Sequence, residues 1–128
     1  MSPALRHRVL WQIIGAALVA LVVGLTLSPT PPADLTAMID WGDKAGHAAA
    51  YLVLMGWYAQ LYHPPGARLA VAGALMALGF GLELIQGQIA GRSFELADAA
   101  ANGAGVLLAW WLTRGRLANL LAGLEARL

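Results

Sequence analysis

Between Val9 and Leu27 the chain carries no ionisable side chain, and three further stretches of similar apolarity follow it, near Ala45–Tyr62, Leu69–Gln88 and Glu95–Leu112. A helix that crosses the hydrocarbon core of a bilayer needs roughly 20 mostly apolar residues. All four stretches come close to that length, and short connections join them. They are continuous runs and do not alternate polar with apolar, which argues against a membrane β-barrel. The expected fold is therefore an all-α membrane protein, a single-domain four-helix bundle over 1–128. Composition agrees: 59% of the residues are hydrophobic and 12% are charged, about half the charge of an ordinary soluble domain.

The absence of cysteine excludes disulfides, thiolate metal sites, a cysteine nucleophile and a lipoprotein anchor. No basic run interleaved with aromatics points to nucleic acid. The first apolar run follows Arg6 and Arg8, as a signal peptide would. It exceeds the usual signal core, however, and lacks a clean small-x-small cleavage site, so it is expected to remain as the first span.

Orientation follows from the basic residues. If the spans alternate, Arg6, Arg8, Arg68, Arg114, Arg116 and Arg127 share one side, and Lys44 and Arg92 take the other. The positive-inside rule then puts both termini in the cytoplasm. Trp11, Trp57, Tyr58, Tyr62, Trp110 and Trp111 form an inner aromatic belt, with Trp41 at the outer boundary. Prolines in Ser28-Pro29-Thr30-Pro31-Pro32 stiffen the first outer loop. His63-Pro64-Pro65-Gly66 reads as an inner turn, with Arg68 still in the loop. In the tail from about 115 to 128, Leu117, Leu120, Leu121, Leu124 and Leu128 recur at helical spacing, with arginines set opposite. It reads as an amphipathic helix, either on the inner leaflet or packed against the bundle. Gly79, Gly81, Gly103 and Gly105 permit close helix packing.

This topology collects the polar residues at one end. Asp43, His47 and Tyr51 are spaced by four on the second helix and share a face with one another. Lys44 lies beside Asp43. Glu83 and Gln86, three apart, end the third helix. Asp98 and Asn102, four apart, open the fourth. Arg92 and Ser93 lie between them. Glu83 falls deep enough that its carboxyl group must face the interior, either neutral or paired with Arg92, Lys44 or His47.

These residues admit several chemistries. His47, Asp43, Glu83 and Asp98 offer oxygen and imidazole ligands for a divalent cation such as Mg²⁺, Mn²⁺ or Zn²⁺, at a spacing that matches no metal signature. Arg92 and Lys44 can grip a phosphate or carboxylate. His47 with Glu83 or Asp98 can form an acid/base couple. No GxSxG, HExxH or P-loop is present. Asp43 and Lys44 can equally cap a helix, Arg92 can anchor topology, and Tyr51, Asp98 and Asn102 can simply join helices.

In order, Asp43-Lys44, His47, Tyr51, Glu83, Gln86, Gly91-Arg92, Asp98, Asn102 and Gly105 resemble the pattern of the VanZ-like family of bacterial membrane proteins, and Leu27-Ser28-Pro29 is similar to its short members. The resemblance runs from the first helix to the fourth. It implies a cell-envelope protein of the bacterial cytoplasmic membrane, linked through the founding member to resistance to the glycopeptide teicoplanin. It carries a site role onto Asp43, Lys44, His47, Glu83, Gln86, Arg92, Asp98 and Asn102.

Three functions remain open. The outer cluster binds a lipid or lipid-linked envelope precursor, with an acylated glycopeptide as a further ligand. Alternatively, it is a hydrolase or transferase centre acting on a phosphate-bearing headgroup. The third reading makes the protein a structural partner of an envelope complex. A homo-oligomer is compatible with each.

Overall fold

The computed structural model describes residues 5–27, 40–88 and 96–128. Among these the chain is helical, with no strand: α1 (Arg8–Leu27), α2 (Asp40–Leu61), α3 (Pro65–Gln86), α4 (Leu96–Leu112), a 3₁₀ turn (Arg116–Asn119) and α5 (Leu120–Glu125). α1 and α3 have both the length and the apolarity to cross a membrane, and α4 is a shorter apolar helix. At about 1.5 Å rise per residue, the 20 residues of α1 extend about 30 Å.

Side-chain bonds show how the helices run. Gln12 of α1 donates to Tyr62 just past α2, and Arg68 of α3 donates to Thr113 just past α4. At the other end Gln86 of α3 donates to Thr26 of α1, and His47 of α2 meets Asn102 of α4. Consecutive helices are therefore antiparallel. One end of the bundle gathers the described parts of both termini; the far end holds the polar residues.

α2 is central and packs most extensively on α4. The core is built from Tyr51, Leu54, Met55 and Ala59 of α2, Ala72 and Leu75 of α3, and Val106 and Ala109 of α4. Gly105 fixes the α2–α4 distance. A Cβ there would lie 3.0 Å from the carbonyl carbon of Ala48 and 3.1 Å from the amide of Leu52. Small residues thus let two backbones touch. Gly81 and Gly103 face open space.

Three boundaries differ from the apolar pattern. α2 begins at Asp40 rather than near Ala45, because charged residues end an apolar run without ending a helix. α3 begins at Pro65 rather than Leu69, with Pro64 as its N-cap. Proline suits the first helical position, where its missing N–H would have no partner. Arg68 consequently sits in the first turn of α3, buried, rather than in a loop. α3 ends at Gln86 rather than Gln88.

The tail is not one continuous helix. After Gly115 it makes the 3₁₀ turn and then the six residues of α5. Ala118, Leu121 and Glu125 are buried, while Leu117, Leu120, Leu124 and Leu128 stay exposed. One edge of the tail therefore docks on the bundle and leaves a leucine face outward. The first loop, residues 28–32, lies outside the described residues.

Candidate functional site

The far end brings together one residue from each of three helices. His47 enters from α2, Glu83 from α3 and Asp98 from α4. One ligand atom from each lies within 4.8 Å of the others. Glu83 is fully buried and Asp98 nearly so. His47 Nδ1 stands 3.7 Å from Glu83 Oε1 and 3.0 Å from Asn102 Oδ1. With the Asn102 oxygen as acceptor, Nδ1 carries the proton, and the lone pair of a neutral imidazole lies on Nε2.

Helical spacing explains the convergence. Asp98 and Asn102 are one turn apart on α4 and both are buried; the same spacing relates His47 to Tyr51 on α2. Gly79 on α3 makes room for side chains from both α2 and α4. A Cβ there would lie 3.1 Å from Asn102 Nδ2 and 3.3 Å from Tyr51 Cζ. Tyr51 belongs to the apolar core, and its hydroxyl has no hydrogen-bond partner among the described residues. Gln86 is buried too, but its amide reaches the Thr26 carbonyl at 3.0 Å and ties α3 to α1. Asp43 and Lys44 lie within α2, but their side chains, together with Arg92 and Ser93, fall outside the described residues.

Two oxygen donors and an imidazole gathered this closely are a ligand set that could hold Mg²⁺, Mn²⁺ or Zn²⁺. Asn102 Oδ1 takes the part of the outer acceptor that orients a ligating histidine. The same set can move a proton between an imidazole and a carboxylate.

The termini end carries polar contacts that apolar patterning had hidden. Glu125 is buried against the start of α1. It accepts hydrogen bonds from Arg6 N–H at 2.8 Å, His7 N–H at 2.7 Å and Trp11 Nε1–H at 2.7 Å. The Arg6 guanidinium also donates to the Glu125 backbone carbonyl. Burial by itself would raise the Glu125 pKa. The bonds from His7, Trp11 and Arg6, with the charge at His7, outweigh it and hold the carboxyl below its usual range. Gln60 donates to Leu117 O at 2.5 Å and accepts from Leu121 N–H at 3.2 Å. Arg68 donates to Thr113 O and Trp110 O, both at 2.6 Å, and so satisfies carbonyls left open where α4 ends. A lone glutamate among leucines reads as solvent-facing; the one available signal is that Glu125 stands four residues after Leu121.

No protein-family model, curated protein or solved structure matches this chain.

Proposed function

We propose that this chain is a four-span integral membrane protein of the bacterial cytoplasmic membrane, akin to the VanZ-like family. In this reading its outer polar centre holds the headgroup of a lipid or lipid-linked envelope molecule. The observation that carries the reading is the convergence of His47, Glu83 and Asp98 from three helices, with both carboxyl groups buried. Ionisable groups at such depth are costly and mark ligand or ion sites. A divalent cation between the two carboxylates would bridge them to a headgroup phosphate, which they would otherwise repel.

Two further features support the membrane setting. Large aliphatic side chains such as Val9, Ile13, Leu25, Leu69 and Ile85 point outward from α1 and α3, which water would not tolerate over so broad a surface. α1 is bonded to the rest of the bundle through Trp11, Gln12 and Thr26, as a retained span would be. By the positive-inside rule both termini are cytoplasmic. The tie to teicoplanin resistance rests on the resemblance alone.

Native mass spectrometry of protein released from mild detergent tests the binding reading, with wild type beside Glu83→Gln. A lipid or metal retained by wild type and missing from the folded variant is the expected result. The same species in the same stoichiometry on both would sink it.

A second reading rests on the His47 imidazole, held by Asn102 beside the Glu83 carboxylate. That arrangement suits an acid/base couple in a hydrolase or transferase acting on a phosphate-bearing headgroup. Turnover of such a lipid by purified protein, abolished in His47→Ala, would select it. No turnover with or without divalent metal would remove it.

A further inference from the structure

A cavity lies at the termini end, away from the His47 centre. Its volume is about 480 Å³, and its lining includes His63, Arg68, Trp110, Thr113, Arg114 and Asn119. No carboxylate lines it. The Arg68 and Arg114 guanidinium carbons stand 6.0 and 5.4 Å from the centroid of the same Trp110 ring. Two like charges thus share one indole, and neither has an ion-pair partner among the described residues. Arg68 is locked in place by the carbonyls of Trp110 and Thr113, with its Nε–H unused by any described residue. His63 is fixed by the Ala118 carbonyl, 2.8 Å from its Nε2. The cavity is therefore basic: the Arg114 guanidinium and the Nε–H of the anchored Arg68 are the donors left for a phosphate.

Thr113 also lines an adjoining cavity of about 240 Å³, formed with Gly56, Trp57, Gln60, Leu120 and Leu121. Most of that lining is apolar. A basic pocket that meets an apolar one at a shared residue matches a molecule with an anionic head and a hydrocarbon tail. The exposed leucines of the tail, Leu117, Leu120 and Leu124, continue the apolar surface outward.

We infer that this paired cavity is a binding site for an anionic phospholipid. The phosphate lies between Arg68 and Arg114, and an acyl chain lies along the pocket formed by Trp57, Leu120 and Leu121. The site is separate from the outer centre, and it rests on the membrane reading only for the supply of lipid. Free phosphate shares the head chemistry but would gain nothing from the apolar pocket.

The test is a titration of the purified full chain in mild detergent with phosphatidylglycerol, phosphatidylcholine and inorganic phosphate, followed by native mass spectrometry. Arg114 is exposed and makes no side-chain hydrogen bond among the described residues, so its substitution leaves the fold intact. Phosphatidylglycerol is expected to bind more tightly than phosphatidylcholine. Arg114→Gln should weaken it about fivefold and Arg114→Glu about twenty-five-fold, at the usual contribution of one cation near a lipid surface. Leu121→Ala should also weaken lipid binding. Equal affinity for the two lipids, or unchanged affinity in a folded Arg114→Glu, would overturn the site. Displacement of the lipid by millimolar inorganic phosphate would overturn its assignment to a lipid.

Discussion

The Nδ1 atom of His47 on α2 lies 3.0 Å from Oδ1 of Asn102 on α4, and this bond spans the most extensive helix contact in the bundle. It fixes the imidazole ring with Nδ1 3.7 Å from Glu83 Oε1. Asn102→Ala removes that orientation. Loss of a buried partner should cost about 1–3 kcal/mol of stability, read as a lower midpoint in thermal unfolding. If the ring serves as a metal ligand, affinity for Mn²⁺ should fall about 10- to 100-fold. Unchanged affinity in the folded variant would take the positioning role away from Asn102.

Gly105 and Gly103 make a matched pair for testing the α2–α4 contact. A methyl group on Gly105 meets the backbone of Ala48 and Leu52, which cannot rotate aside; one on Gly103 meets nothing within 4 Å. Gly105→Ala should therefore destabilise the bundle by about 1–3 kcal/mol. Gly103→Ala should be neutral, or stabilising by up to about 1 kcal/mol. Similar unfolding midpoints for the two variants would contradict the close approach.

The tail should respond to acid through Glu125. Its folded pKa is lowered, so its contribution is present above the unfolded carboxyl value of about 4.3 and is lost as pH falls through the lower folded value. Limited proteolysis between pH 7 and 3 should show α5 protected at neutral pH and released only under strongly acidic conditions. Glu125→Gln should remove that pH dependence and lower the protection at neutral pH, because an amide does not titrate and its single carbonyl oxygen replaces only one of the two accepting oxygens. Protection that rises on acidification would reverse the sign and refute the account.

Apolar run length carried much of the fold. α1 is uninterrupted from Val9 onward, so its limits are plain in the sequence, and α4 ends where its apolar run ends, at Leu112. α2 shows where that reading stops: the run reports the apolar part of a helix, while Asp40, Asp43 and Lys44 extend the helix beyond it. The polar centre was legible because helical spacing alone places His47, Glu83, Asp98 and Asn102 at one end. Arg68 was not, since its role depends on carbonyls of α4 more than forty residues away. Glu125 was hidden for the same reason: its donors, Arg6, His7 and Trp11, lie at the opposite end of the sequence.

The His47–Glu83–Asp98 centre gives the most direct test of a cation. A metal that binds only the folded protein raises stability by about 2.7 kcal/mol at one hundred times its dissociation constant. Thermal unfolding with and without Mn²⁺ should show that gain in wild type. Glu83→Gln and Asp98→Asn keep the side-chain shape but offer weaker ligands, and each should abolish the shift while leaving a cooperative transition. The hard oxygen donors supplied by the two carboxylates favour Mn²⁺ and Mg²⁺, and the imidazole brings Zn²⁺ within range. Equal shifts in wild type and both variants would place the metal elsewhere. No shift with any of the three ions would remove the cation from the proposed headgroup site. The two carboxylates would then meet cationic or hydrogen-bond-donating groups of the ligand.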